Sequence, residues 1–276
     1  MISESATLLY AAKKEGIIKS NAHFWREYSS ADKLKNISLD LEKYAREIQN
    51  SGVNLICSFD RDFPPLPVPC RQSDKPYLFA YRGDISLLNE RDKNYAVVGS
   101  LTPTDKILHR ENVIVAELTE RGYHIVSGLA KGCDTAAHMT SLACGGKTIA
   151  VLPSTFTNIY PKENARLAER IVQNGGLVLT EYVTEPATRY DRIRRFIERD
   201  RLQAMFAGKI LLIASHLPGQ GNSGSRHAME KAKEYGTERF VLYNPMTEDA
   251  DPLFALNRNY LKNGAVPFTK RTINDQ

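Results

Sequence analysis

No apolar run in these 276 residues approaches the ~20 needed to cross a bilayer. Cysteine is sparse: Cys57, Cys70, Cys133 and Cys144, with no C-x-x-C pair. That spacing excludes a zinc ribbon and a disulfide scaffold. The opening MISESATLLYAAKKEGI has no basic start leading into a long apolar stretch, so no secretory signal is expected. The thiols are then expected to be reduced, in the cytoplasm. Two nucleotide fingerprints are missing as well. There is no G-x-x-x-x-G-K-[ST] phosphate loop, and Gly99-Ser100-Leu101-Thr102-Pro103 is not G-x-G-x-x-G. No Ser/His/Asp order, carboxylate pair or metal-ligand spacing emerges, so no enzyme, metal or cofactor is expected.

What is present reads as an ordinary folded protein, with 42% apolar and 25% charged residues. The net charge of +5 is unevenly placed. Residues 1–90 hold 12 basic and 12 acidic side chains, whereas residues 91–276 hold 25 and 20. A surplus of this size fits a polyanion partner without demanding one.

The chain divides near residue 90. Residues 1–50 are helix-like, and LDLEKYAREIQNSG places Leu39, Leu41, Tyr44 and Ile48 near helical spacing. VNLICSF (53–59) and YLFAYRGD (77–84) read as strands on either side of a proline-rich lead-in. From residue 94 the texture alternates. Strands at 94–100, 123–128, 147–153, 177–182, 208–215 and 238–244 are separated by helices at 109–122, 133–146, 163–176, 190–207 and 225–236. Near-continuous apolar strands alternating with helices predict an α/β fold with a doubly wound, Rossmann-like parallel sheet. A small helical N-terminal region (1–90) precedes it, and the sheet domain is expected over 91–276. The tail after Tyr243 is weakly patterned.

In such a sheet, ligands sit beyond the carboxyl ends of the strands. Ser127-Gly128-Leu129-Ala130-Lys131-Gly132-Cys133-Asp134 joins a strand to a helix there. Its glycines allow backbone amides to approach an anion, and Lys131 adds a charge. A plain turn capped by Asp134 is the alternative. A second loop, Pro218 to Ser225, offers Ser223, Gly224 and Ser225 as an anion nest or a simple surface loop. Between Arg189 and Arg201 lie six arginines. On a helix Arg192, Arg195 and Arg199 share one face, with Ile193, Phe196 and Ile197 turned elsewhere. That face is expected to track phosphates or to be a salt-bridged solvent face. His138 reads as a packed or capping residue, and Glu181 stands alone at a strand end.

Taken in order, these pieces resemble the DNA-processing protein A (DprA, or Smf) family. They begin with Asp60, Phe63-Pro64, Tyr77-Leu78-Phe79 and Arg82-Gly83-Asp84. Ala96-Val97-Val98-Gly99-Ser100 with Pro103 is similar to the family's VGSR.P. Ser127 to Asp134 with Ala137-His138 is similar to SGLARGID..AH. Gly145-Gly146-Lys147-Thr148-Ile149-Ala150 is similar to GG.TIA. Tyr160-Pro161-Lys162-Glu163-Asn164 is similar to YP.EN, and Thr180-Glu181-Tyr182 to SEY. Arg199-Asp200-Arg201 stands at RNR, and Ser223-Gly224-Ser225 at SGS.

The resemblance implies a non-enzymatic homodimer that binds single-stranded DNA and hands it to a RecA-type recombinase. It places DNA phosphates on backbone amides of the glycine loops and on Lys131, Arg199 and Arg201; with the helix face added, the candidate contacts are Gly99, Ser100, Ser127, Gly128, Lys131, Gly132, Lys147, Arg195, Arg199, Arg201, Ser223, Gly224 and Ser225. It leaves Asp134, His138, Tyr160, Asn164 and Glu181 in structural or capping roles. Three features depart from the pattern: Leu101 for the family's Arg, Asp200 for its Asn, and an expected lack of its C-terminal winged helix. The alternative is a nucleotide-sensing regulator, or an antitoxin-like partner of a toxin, on the same fold. A nucleotide hydrolase using Glu181 as acid/base is a third possibility.

Overall fold

The computed structural model describes residues 2–269. Residue 1 and residues 270–276, the outer ends of the two expected regions, lie outside the described residues. The chain opens with helices α1 (Glu4–Lys14), α2 (Asn21–Glu27), α3 (Ala31–Leu34) and α4 (Leu41–Ser51), followed by β1 (Asn54–Cys57) and β2 (Leu78–Gly83). The alternating part then runs β3 (Asn94–Val98), α5 (Asp105–Glu120), β4 (His124–Ser127), α6 (Cys133–Ala143), β5 (Thr148–Val151), α7 (Ala165–Gln173), β6 (Leu177–Thr180), α8 (Arg189–Met205), β7 (Lys209–Leu212), α9 (Arg226–Glu234) and β8 (Glu238–Val241). The weakly patterned tail forms α10 (Pro245–Glu248), α11 (Ala255–Lys262) and the two-residue β9 (Val266–Pro267).

The strands make one nine-stranded sheet in the order β1-β2-β6-β5-β4-β3-β7-β8-β9. From β6 to β9 every pairing is parallel. The doubly wound expectation therefore holds. The two early strands extend the sheet: β2 pairs antiparallel with β6, and β1 antiparallel with β2. The boundary expected near residue 90 thus falls between strands of a single sheet.

Alternate side chains of each strand serve opposite faces. One face carries Tyr95, Val97, Ile125, Leu211 and Phe240 against Ile107, Val115 and Leu118 of α5 and Ala137 of α6. Ala150, Leu152 and Val178 continue it against Leu167 and Ile171 of α7. The other face carries Ala96, Val98, Val126, Val151 and Leu212 against Leu202 and Met205 of α8 and Met229 of α9. The N-terminal helices pack a separate cluster around Phe24, whose ring stacks on Tyr77 at 4.2 Å. Helix starts follow side-chain caps: Thr104 accepts from the Ile107 amide, and Thr188 from the Asp191 amide. The sheet winds outward in both directions from β3. Its switch point lies where the loops after β3 and β7 diverge, and the Ser225 hydroxyl donates to the Gly99 carbonyl at 2.8 Å across that point.

One polar group sits deep in the layer between α5 and α6. Glu111 is fully buried, and among the described residues neither carboxyl oxygen has a nitrogen or oxygen partner; its polar neighbour is the Cys133 thiol. Burial pushes this carboxyl up to about 8, so the folded chain keeps a proton that the unfolded chain loses near 4.5. The folded state binds more protons between those values, so this residue's stabilising contribution is full below pH 4.5 and is lost as pH rises to about 8. Glu111→Gln should remove that loss. Urea unfolding across pH 5–9 should give a flatter stability profile for the variant, and parallel profiles would refute the assignment.

Candidate nucleic-acid cleft

The cleft forms at the carboxyl edge of the sheet, from the loops after β3, β4, β5 and β7 and from α8. A cavity of about 330 Å³ is lined by Gly99 and Leu101, by Gly128, Ala130, Lys131 and Asp134, by Tyr160 and Pro161, by Phe196, Arg199, Asp200 and Gln203, and by Asn222, Gly224, Ser225 and Ala228. Beside it, with Lys131, Tyr160 and Phe196 as shared walls, lies an outer groove of about 600 Å³. There the walls are Pro153, Ser154, Asn158, Lys162, Glu163, Glu185, Pro186 and Arg192. The Tyr160 and Phe196 rings meet edge to face at 5.4 Å between the two spaces.

The β4–α6 loop is held from within. Asp134 Oδ2 accepts the amides of Gly128 at 3.1 Å and Ala130 at 3.3 Å. Between them Leu129 takes φ +58°, a left-handed conformation costing about 1–3 kcal/mol in a non-glycine residue. Its side chain is fully buried, and its carbonyl accepts Asn164 Nδ2 at 2.8 Å. The same Asn164 group also reaches Thr135 Oγ1 at 2.8 Å. Burial pushes the Asp134 carboxyl up, while Arg199 and the loop amides pull it back. Two glycines are required here by close approach. A Cβ on Gly128 would lie 1.5 Å from Arg199 Nη1, and one on Gly132, at φ +71°, would lie 2.4 Å from the Ser100 carbonyl oxygen.

This geometry corrects the expected phosphate cradle. The Gly128 and Ala130 amides already serve the Asp134 carboxylate, and so are closed to an outside anion. Ser127 donates its hydroxyl to the Val97 carbonyl, and Ser100 accepts the Thr102 amide. In the second loop Asn222 Oδ1 accepts the Gly224 amide. Ser223 sits half-buried in that loop and its carbonyl accepts the Arg226 amide.

The arginine face of α8 is corrected too. Arg195 and Arg199 point inward, and the exposed face carries Ile193 and Ile197, 50% and 43% exposed, with Arg192. Arg195 donates to the Thr184 and Glu185 carbonyls and pairs with Asp191. Arg201, on the far side of α8 from the cleft, pairs with Glu181 at 2.7 Å and donates to the Asp74 and Glu198 carbonyls. Glu181 also accepts Asn21 Nδ2, which ties the N-terminal region to the strand end. Arg199 alone of these reaches the cavity, with Nη1 on the Val151 carbonyl. Lys147 precedes β5, so it stands at the opposite edge of the sheet, 3.6 Å from Asp84. Lys131 is exposed and pairs with Glu163 at 2.5 Å.

His138 Nδ1 lies 2.6 Å from Thr148 Oγ1, whose hydroxyl proton is already given to the Ile125 carbonyl. The ring therefore donates from Nδ1. Burial, and Arg199 after it, pulls its pKa down to about 3, so it stays neutral. Asp200 is pushed up by burial to about 7, against the pull of Arg199. Sequence reasoning left Lys162 out of the site and named Arg192 only for its helix face. Both are exposed and hold no ion pair among the described residues. Their signal was a cation beside the Tyr160-Pro161 turn and one facing it from α8.

The comparisons agree with this architecture. The sequence model of DNA recombination-mediator protein A matches residues 54–273. The chain belongs to this family. Curated DprA/Smf relatives include Protein Smf of Borreliella burgdorferi, 27% identical over 80% of this chain and 66% of its own length. DNA processing protein DprA of Streptococcus pneumoniae is 36% identical over 61% of this chain and 56% of its own. The chain therefore spans between half and two-thirds of these relatives' length. Among solved structures, DprA from S. pneumoniae superposes with a TM-score of 0.72 at 26% identity, covering 97% of this chain and 89% of that one. A structure describing the single-stranded DNA binding mode of Helicobacter pylori DNA processing protein A gives 0.66 at 25%, covering 82% and 96%.

The loop's dependence on one carboxylate is testable. Asp134→Ala leaves two amides without acceptors and Arg199 without its neighbouring charge. It should cost about 2–4 kcal/mol in urea unfolding. Asp134→Asn, which keeps one acceptor oxygen, should recover part of that loss, and a neutral Asp134→Ala would refute the clasp.

Proposed function

We propose that this chain binds single-stranded DNA in the cleft, with the backbone along the outer groove and a base in the inner cavity. The observation carrying this reading is the adjacency of two unlike spaces that share the Tyr160 and Phe196 walls. The outer groove offers Lys162 and Arg192, with Lys131 paired to Glu163, while the inner cavity has apolar walls at Leu101, Ala130, Pro161, Phe196 and Ala228. Single-strand sites combine these parts: cations that follow phosphates, and rings or pockets that take bases. The Tyr160–Phe196 pair stands where a strand would step from one to the other. The family resemblance extends the reading to a cytoplasmic homodimer that passes its strand to a RecA-type recombinase, without catalysis of its own.

Fluorescence anisotropy with a labelled oligonucleotide tests it. Affinity should fall with salt, each neutralised phosphate steepening the log–log slope by about 0.7. Lys162→Ala and Arg192→Ala should each flatten that slope by about one contact and weaken all sequences alike. Tyr160→Ala should weaken binding by about 1–3 kcal/mol with the slope unchanged. No binding at low salt, or a flat response, would overturn the proposal.

A further inference from the structure

We propose that the bound strand continues out of the cleft, across the exposed face of α8, into a second groove between α8 and the N-terminal region. This rests on the single-strand reading and lengthens the site it describes. The second groove has a volume of about 590 Å³, with Lys13, Lys19 and Asn21 in one wall and Arg194, Ile197 and Glu198 of α8 in the other. It lies back to back with the outer groove. Arg192 and Phe196 of the same helix line the outer groove, and in the loop before α8 Thr184 lines one space and Glu185 the other. With about 3.6 residues per turn, Arg192 and Phe196 stand on one flank of α8, Arg194 and Glu198 on the other, and Tyr190, Ile193 and Ile197 on the ridge between. The ridge faces solvent: Tyr190 is 77% exposed and the two isoleucines about half.

The charges of the second groove do not cancel. Its carboxylates are each taken: Glu181 by Arg201, Asp191 by Arg194 and Arg195, Asp74 by Lys231, and Glu198 by Arg194. Lys13 and Lys19 are left over. Neither side chain has an ion pair or a hydrogen bond among the described residues, and the Lys13 ammonium rests 4.9 Å over the Tyr77 ring. A half-buried ammonium with three donors and no acceptor is completed by an anion. Arg189, exposed in the first turn of α8, likewise has no side-chain partner among the described residues. Unpaired cations thus stand on both sides of the ridge, Lys162 and Arg192 in the outer groove and Lys13 and Lys19 in the second, with Arg189 and the Tyr190 ring between them. Cations for phosphates with a ring for a base are the parts of a single-strand path. A helix with its side chains is about 10–12 Å across, a span of a few nucleotides of extended strand.

The test compares short and long oligo(dT), about 6 and about 20 nucleotides, on the full chain by fluorescence anisotropy. The long strand should show a log–log salt slope steeper by about 1.4, two further phosphates at about 0.7 each. Lys13→Met combined with Lys19→Ala should return the long strand's slope to that of the short one and leave the short strand's binding unchanged. Methionine keeps an unbranched stem over Tyr77, and Lys19→Ala alone, at an exposed position, should remove about half of the difference. Tyr190→Ala should weaken the long strand about fivefold or more, the loss of one stacked base, with its slope unchanged. Equal slopes for the two lengths, or lysine variants that leave the long strand's slope as it was, would overturn the crossing and leave single-strand binding in the cleft standing. Binding of neither length would overturn the single-strand reading as well. Loss of self-association in Tyr190→Ala, measured by sedimentation, with long-strand binding intact would give the ridge to a second copy of the chain and overturn the crossing.

Discussion

The Asp134 carboxylate, turned back onto the amides of its own loop, is the contact on which the cleft depends. A glycine-rich turn at a strand end has no side chains to stiffen it. Here one buried oxygen takes two amides of that turn, and Asn164 takes the carbonyl between them. The clasp forces Leu129 into the left-handed region, and burying the leucine side chain offsets the strain. It also sets the position of Gly128 close over the Arg199 guanidinium, where no larger residue fits. The loop is thus rigid before any ligand arrives. The amides of Gly128 and Ala130 are spent inside the protein, and the loop they hold frames the cavity.

Helix α8 is the second wall of that frame, and its polarity runs against habit. Three of its six arginines, Arg195, Arg199 and Arg201, lie inside, and its isoleucines lie outside. An arginine can be buried when its donors all find acceptors, and Arg201 meets this with a carboxylate and two carbonyls. Such buried pairs add little net stability against apolar replacements, but losing one partner costs several kcal/mol. Their value here is positional. Arg201 joins α8 to Glu181 at the end of β6 and to the carbonyl of Asp74. Arg199 joins it to the end of β5, and Arg195 to the segment between β6 and the helix. A helix fixed at three depths can present Phe196, Asp200 and Gln203 to the cleft without drift.

The layering of the sheet was legible because apolar runs and glycine stops are local signals. Strands at Tyr95–Val98 and Ile210–Leu212 stand out on composition alone. The antiparallel joining of β2 to β6 was not legible, since pairing partners are chosen by the whole sheet. In the site, the Gly128 loop and the Ser225 loop were placed by their position after strands. What was misread is the use of each charge. Lys147 and Arg201 look alike as letters, yet one stands at the wrong edge of the sheet and the other is neutralised by Glu181. Asp134 reads as a helix cap in sequence and turns out to cap the preceding loop. A free cation cannot be told from a paired one until its neighbours are known.

On the proposed single-strand reading, that distinction reconciles a net charge of only +5 with a strand of phosphates. Attraction depends on charges that remain unpaired at the surface, more than on their total. Arg201 and Arg195 are matched by Glu181 and Asp191, while Arg199, beside Asp200, lines the inner cavity. Among the described residues Lys162 and Arg192 carry no such partner, and they face the same groove from the Tyr160 turn and from α8. The cavity beside them holds charges of both signs, Lys131 and Arg199 with Asp134 and Asp200, between apolar walls. On the proposed reading, a strand's phosphates stop at the outer cations and its base passes the Tyr160–Phe196 pair into the apolar cavity.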